Sequence, residues 1–264
     1  MIEIKHDNRR VLEPLFAEKP YGMSLVKTYF DGYSGKAWAD AEENPKVCLL
    51  RVGEFGFPAG DAASPGAQEL LEKLTELAGF WLVYPQDEAW DALLREVWGE
   101  KAVRAERYAI RHDTVFDRKV LTRYAQAVPE GVTLVPMNRA LFEYCRHDRE
   151  LWDFVSNFRD WEHYDSYAKG VLVIENNEIL GGCSTYTRFD GVPGYRYALE
   201  LEVDVREQHR RRGLAKACAA AMILACLDDG IYPAWDAASR ISVDLAEKLG
   251  YRESHGYTVY LLSR

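Results

Sequence analysis

Residues Leu199–Gly230 read LELEVDVREQHRRRGLAKACAAAMILACLDDG. Leu199, Leu201, Val203 and Val205 alternate with Glu200, Glu202 and Asp204, the period of two expected of a strand with one apolar face. A basic turn follows: Arg210, Arg211, Arg212 and Gly213. From Leu214 to Leu227 nearly every residue is Ala, Leu, Ile, Cys or Met, which predicts a helix that is apolar all round and therefore buried against a sheet. The first turn of such a helix holds backbone N–H groups without intrahelical acceptors at the positive end of the helix dipole, and Gly213 and Ala215 put no bulk over them. The strand, turn and helix together predict a seat for a pyrophosphate.

Downstream, Tyr232 to Ala237 reads as a short strand and Ser239 as the start of an amphipathic helix with Ile241, Leu245 and Leu249 on one stripe. Gly250 stops that helix, and Tyr257 to Leu262 is a last strand. In this setting Arg210-x-x-Gly213-x-Ala215 resembles the acetyl-CoA pyrophosphate loop of the GCN5-related N-acetyltransferases (GNAT), and the order of elements resembles the second half of that fold. The run IYPAWDAASRISVDLAEKLGY, residues 231–251, resembles a subgroup of two-domain bacterial acetyltransferases, one of whose members acetylates the aminopolyol antibiotic zwittermicin A. The resemblance implies an α+β (mixed α/β) fold with a mixed, mostly antiparallel sheet flanked by helices. It also implies an N-acetyltransferase that takes acetyl-CoA and acts on a small-molecule amine. It assigns the cofactor to Arg210, Arg211, Arg212, Gly213, Leu214, Ala215 and Lys216 at the pyrophosphate, to the backbones of Val203 and Val205 along the pantetheine arm, and to Ser239, which also reads as a plain helix N-cap.

Acyl transfer to an amine needs a group to take the proton of the ammonium, polarisation of the thioester carbonyl, and a proton or dipole for the departing thiolate. Glu200 and Glu202 share one strand face, with Asp204 beside them. By the resemblance Glu202 stands where many relatives carry a base, and Glu200 matches the acidic residue of the subgroup. A polar strand face making salt bridges is the plain alternative for either. Many relatives carry an acidic tyrosine at the position of Ala246, and alanine donates nothing. Tyr251, Tyr257 or Tyr260 stand as substitutes, or the thiolate leaves to solvent. A non-catalytic acyl-CoA-binding sensor is the alternative function, and Ala246 is its main support. A nucleotide-triphosphate enzyme is disfavoured, because Arg211-Arg212-Gly213 lacks the Gly-Lys-Ser/Thr ending.

The remainder of the chain reads as two domains, 1–128 and 129–264. In the first, Lys36–Asp40 and Lys46–Gly56 are expected strands, Ala67–Ala78 a helix, Phe80–Pro85 a strand, Asp87–Trp98 a helix and Lys101–Arg111 a strand. This α/β domain resembles a degenerate GNAT repeat without an Arg-x-x-Gly loop, serving as a lid, as a dimerisation surface for a homodimer, or as a stabiliser of its neighbour. His112–Gly131 is the expected linker. In the second domain, Val132–Pro136 is a strand, Asn138 caps a helix through Cys145, and Asp148 caps another through Asn157. Val171–Ile174 and Ile179–Thr187 form a hairpin around Glu175–Glu178. Trp161, His163, Tyr164 and Tyr167 lie where relatives bind the acceptor, although aromatic residues after a helix are commonly core.

The chain has 264 residues, 48% hydrophobic and 12% aromatic, with a net charge of −9, values that predict globular domains and exclude nucleic acid as a partner. No apolar run approaches the roughly 18 residues of a membrane span and the amino terminus is too polar for a signal peptide, so a cytoplasmic protein is expected. The five cysteines are dispersed without C-x-x-C spacing, and the six histidines form no ligand pairs. Reduced thiols and no metal site are expected.

Overall fold

The helix Leu214–Asp228 and the strands under it organise the half of the protein that carries the basic turn. The computed structural model describes residues 1–17, 23–76 and 81–262. In chain order the elements are β1 Ile2–Glu3, α1 Glu13–Phe16, α2 Met23–Asp31, β2 Lys36–Ala39, β3 Val47–Val52, β4 Phe55–Gly60, α3 Pro65–Glu76, β5 Trp81–Val83, α4 Glu88–Trp98 and β6 Val103–Ile110. They continue with α5 Arg118–Gln126, β7 Val132–Pro136, α6 Arg139–His147, α7 Trp161–Tyr167, β8 Gly170–Glu175, β9 Glu178–Phe189, β10 Ala198–Val205, α8 Leu214–Asp228, β11 Tyr232–Ala234, β12 Asp236–Ala237, α9 Arg240–Lys248 and β13 Glu253–Leu262. This is the mixed α/β architecture expected from the sequence. The expected helix and strand ends at Ala78 and Phe80 lie outside the described residues.

The chain divides into two compact units, Met1–Arg107 with Gly256–Arg264, and Tyr108–His255. The expected boundary at 128/129 therefore falls inside the second unit. The cause is packing: the stretch read as a linker contains α5, whose Leu121 is 1% exposed and joins Tyr108 and Ile110 in the core around α8. The last strand, expected to complete the second domain, pairs Tyr260–Leu262 with Val83–Trp81 of β5 in the first unit.

In the second unit the sheet order is β11-β10-β9-β8-β7. Odd-numbered residues of β8 and β10, among them Val171, Val173, Leu199 and Leu201, pack against Leu214, Cys218, Met222 and Ile223 of α8. The opposite face carries Leu172 and Ile179 under Phe142, Phe154 and Tyr164. Asn138 caps α6 by accepting from Leu141 N, as its sequence position implies. Asp148 accepts from Glu150 N and Leu151 N, but it opens only a 3-10 turn, Trp152–Val155, in place of the expected helix. All five cysteines are free and buried.

The first unit repeats the same sheet logic. Strand β3 runs antiparallel to β4, and β4 parallel to β5 across α3, just as β9 runs antiparallel to β10 and β10 parallel to β11 across α8. Lys46–Gly56, expected as one strand, is a hairpin turning at Gly53, where φ is +57°. Gly56, Pro58 and Gly60 sit in buried β4; Pro58 lies beyond Phe55 and Gly56, the two residues that pair with β5.

Candidate active site

Strand β10 is paired with β9 from end to end, but with β11 only at Ala198, Leu199 and Glu200. A register shift against β9 falls between Glu200 and Leu201, where Tyr186 is the extra residue on β9. Among the described residues, Leu201–Val205 have no ladder partner on the β11 side. The strand edge there offers main-chain groups to an extended ligand, and it includes Val203 and Val205. The Val205 carbonyl also accepts from Arg210 Nε at 2.9 Å.

The edge leads into the basic turn and α8. Arg211 has φ +63° and Gly213 φ +82°, and two left-handed residues so placed turn successive N–H groups toward one side. Gly213 is the N-cap and supplies no side chain to the helix; the first backbone bond is Ala217 N to Gly213 O at 3.1 Å. Among the described residues, the N–H groups of Leu214, Ala215 and Lys216 find no backbone acceptor. A Cβ built on Gly213 would meet no atom within 4 Å, so the space in front of the turn is open. This fits the phosphates of a nucleotide cofactor.

The corresponding turn of the first unit is closed. Asp61 Oδ1 accepts from Ala63 N at 3.0 Å, Ser64 Oγ accepts from Gly66 N at 3.4 Å, and Pro65 has no N–H to give. With the Ser64 hydroxyl on the Gly66 N–H, no N–H at Pro65 and the Asp61 carboxylate in the preceding turn, the start of α3 suits an anion poorly.

The three arginines separate in role. Arg210 Nη2 reaches Asp204 Oδ1 at 3.2 Å, and Arg212 forks onto Glu175, with Nη2–Oε1 at 2.6 Å and Nη1–Oε2 at 3.1 Å. The Arg212 guanidinium holds the Glu175 carboxyl below the usual glutamate range. Arg212 thus ties the turn to the end of β8, next to the two-residue turn Asn176–Asn177 (φ +51° and +65°), while Arg211 is exposed. Lys216 sends its Nζ over the Tyr124 ring, 4.2 Å from the centroid. Ser239 Oγ accepts from Ser242 N at 3.3 Å, which makes it the N-cap of α9.

Glu200 and Glu202 alternate to the face of β10 away from α8. Glu200 is 5% exposed and aligned with Thr187 and Ala234; Glu202 is half-buried and aligned with Ser184. Tyr251 is buried and donates its phenolic hydrogen to Pro233 O at 2.8 Å, and burial pushes its pKa well above the usual tyrosine value. Its proton is committed to the core, which corrects the expectation of a leaving-group acid at this position. Tyr257 and Tyr260 belong to the first unit, against the Tyr84 ring and Asp91 respectively. Ala246 is wholly buried.

Of the expected acceptor-site aromatics, Tyr164 is core: its hydroxyl is 2.8 Å from Ser184 Oγ, which donates to Phe154 O. Trp161 stacks on it, and His163 packs between Phe158 and Tyr167 on α7, a helix that Asp160 caps by accepting from His163 N. The aromatic wall beside Glu200 is elsewhere, built by Phe189, Tyr195 and Tyr232, with Phe116 and His112 from the segment read as a linker. No local pattern in residues 112–116 announces this, because their partners lie about 75 to 120 positions away in the chain.

The family model of the GNAT acetyltransferases matches residues 13–260. The chain belongs to the GNAT acetyltransferase family. A GCN5-related N-acetyltransferase-like protein from Streptococcus suis 89/1591 shares its structure with a TM-score of 0.82 and 34% identity, over 96% of this chain and 97% of that one. The uncharacterized N-acetyltransferase YdfB of Bacillus subtilis (strain 168) is 24% identical over 263 residues, 94% of each protein. A tandem GNAT protein from the clavulanic acid biosynthesis pathway has the same fold at a TM-score of 0.55 and 13% identity, covering 98% of this chain and 97% of that one. This GNAT protein is accordingly an N-acetyltransferase, and acetyl-CoA is the acyl donor typical of its family. Among the described residues, no helix is long and apolar enough to cross a membrane.

Proposed function

We propose that the second unit binds acetyl-CoA with its pyrophosphate on the N–H groups of the Arg210–Lys216 turn and its pantetheine arm along Leu201–Val205, and that it acetylates a primary amine of a small cationic molecule. The observation that carries this reading is the contrast between the two repeats: the α8 N-terminus is uncapped and arginine-flanked, whereas that of α3 begins at a proline, is capped by Ser64 and follows the Asp61 carboxylate. Bound there, acetyl-CoA supplies a thioester whose carbonyl carbon accepts the amine. Glu202 is the general base. It stands beside the free edge of β10 and is half-exposed, so a substrate nitrogen reaches it, while Glu200 one turn of the pleat away is nearly closed off. Arg212 and Glu175 set the loop, and Arg211 is the arginine presented to the cofactor phosphates.

An acceptor carrying ammonium groups suits both the acidic face formed by Glu200, Glu202 and Asp204 and the net charge of −9. An aminopolyol antibiotic of the zwittermicin type fits that description. The cytoplasm supplies acetyl-CoA and is the proposed compartment; a homodimer through the first unit is compatible with this reading. The test is a thiol-release screen of the purified protein with acetyl-CoA against aminopolyols, aminoglycosides, polyamines, amino acids and peptides. Turnover with one of the small cationic amines is expected. Turnover only with peptides would overturn the acceptor class, and no turnover with any amine would overturn the reading as a whole.

A further inference from the structure

We infer that His112, set against Asp236, is the proton exit of the acceptor side: its imidazole takes the proton that an alkylammonium acceptor sheds before attack and returns it to solvent. This rests on the amine-transfer reading above.

The placement follows from strand register. Ala198 is aligned with Phe189 on one side and Tyr232 on the other, and the next row on the same face is Thr187, Glu200 and Ala234. Alternation along β11 and β12 puts Asp236 on that face with Tyr232 and Ala234, while Trp235 and Ala237 join the core on the α8 side. The His112 ring lies 5.5 Å from the Phe189 ring and 5.9 Å from that of Tyr232, above the first row and one row from Glu200. Its segment is pinned on both sides: Arg111 N donates to Arg252 O at 2.9 Å, and Tyr232 Oη accepts from Thr114 N at 3.2 Å. Solvent still reaches the side chain. A fixed backbone with an exposed imidazole at the rim of an acidic face is the arrangement a proton conduit needs.

The chemistry asks for such a group. When R–NH3⁺ becomes R–NH–CO–CH3, the nitrogen forms one bond to the carbonyl carbon, the C–S bond breaks toward sulfur, and the nitrogen loses two protons. One ends on the CoA thiol and the other is released to water. Glu202 handles a single proton at a time, so the proton lost before attack needs its own acceptor with access to solvent. His112 must be neutral to accept it. Crowding by protein holds the imidazole below the usual histidine range, while Asp236 and Asp113 pull the other way. The remaining charged and titratable neighbours are Arg111 and Arg252, both paired with Asp113, and Tyr232, whose hydroxyl donates to Arg111 O, with Glu200 a row away. Asp236 lies next to Ala109 across the β6–β12 ladder, and its charge acts on the imidazole from outside the Arg111–Asp113–Arg252 cluster.

The test uses the full chain and an amine accepted in the thiol-release screen. The readouts are kcat/KM against pH, acetyl-CoA affinity by calorimetry, and the His112 imidazole titration by NMR, for wild type, His112→Gln and Asp236→Asn. His112→Gln is expected to lower kcat/KM by about 100-fold at neutral pH, the low end for a lost proton acceptor, to abolish the acid limb of the profile, and to leave acetyl-CoA affinity unchanged. Asp236→Asn removes a charge that favours the imidazolium. It shifts both the limb and the NMR titration to lower pH while preserving the plateau rate, which a purely structural role would not do. Wild-type turnover with an unmoved limb in His112→Gln overturns the proposal alone; absence of any amine turnover by the wild type overturns the underlying reading with it. Should His112→Gln fail to fold, an NMR titration of His112 in the wild type that Asp236→Asn does not move overturns the proposal, and one that it moves together with the kinetic limb supports it.

Discussion

Tyr251 donates its phenolic hydrogen to the carbonyl of Pro233 across 2.8 Å, inside the core that α8 forms with the sheet. The bond joins the chain after α9 to β11 and keeps a buried carbonyl satisfied. Tyr251→Phe leaves that carbonyl without its partner and is expected to cost about 1–3 kcal/mol of stability, read by urea unfolding, with the shape of the pH–rate profile unchanged. A collapse in turnover at unchanged stability would restore Tyr251 as the acid that protonates the thiolate.

Glu202→Gln keeps the shape of the side chain and loses its ability to take a proton. Turnover at neutral pH should drop by about 10²- to 10⁴-fold with little change in acetyl-CoA affinity, and it should recover in part at high pH, where hydroxide can take the proton that nitrogen sheds after attack. Glu200→Gln, at a nearly closed position, should change turnover far less. Steady-state rates of the two variants decide the matter, and a dead Glu200→Gln beside an active Glu202→Gln moves the base two residues upstream.

The fork between Arg212 and Glu175 makes the stability of the basic turn depend on pH. The folded carboxyl titrates below the ordinary glutamate value, so its contribution is present above that value and is lost as pH falls through the lower, folded one. Thermal unfolding of wild type and Glu175→Gln should therefore differ at neutral pH and converge in acid. A difference that grew on acidification would mean that the pair does not hold the turn.

Removal of residues 1–128 deletes Tyr108, Ile110 and Leu121 from the core beneath α8 and takes away β5, the partner of Tyr260–Leu262. The fragment 129–264 is expected to lack a cooperative unfolding transition. A fragment that melted cooperatively and bound acetyl-CoA would place the true boundary at 128/129.

The elements legible in the sequence are those whose signals are local. The alternation of Leu199–Val205, the apolar run of α8 and the Asn138 cap are each fixed by neighbours within a few residues, and each appears where the pattern puts it. Helix α5 was not legible because Leu121 is its one fully buried residue; its place depends on α8, about a hundred positions downstream in the chain. The Lys46–Gly56 hairpin was hidden because Val47–Val52 and Phe55–Gly60 are both buried, which leaves no polar alternation to mark the turn. In the site, the turn and the two glutamates are written in one continuous stretch. The fork from Arg212 to Glu175, by contrast, joins residues 37 apart, and no spacing rule reaches that far.

The most direct test of the account is calorimetric titration of acetyl-CoA into wild type, Gly213→Ala and Gly213→Glu. Both variants force a side chain onto a residue with φ +82°, at a backbone cost of about 1–2 kcal/mol, but only the glutamate adds a negative charge to the open space before α8. The account predicts weakened binding for Gly213→Ala and no detectable binding for Gly213→Glu, with both still folded. Acetyl-CoA affinity in Gly213→Glu equal to that of the wild type would contradict it.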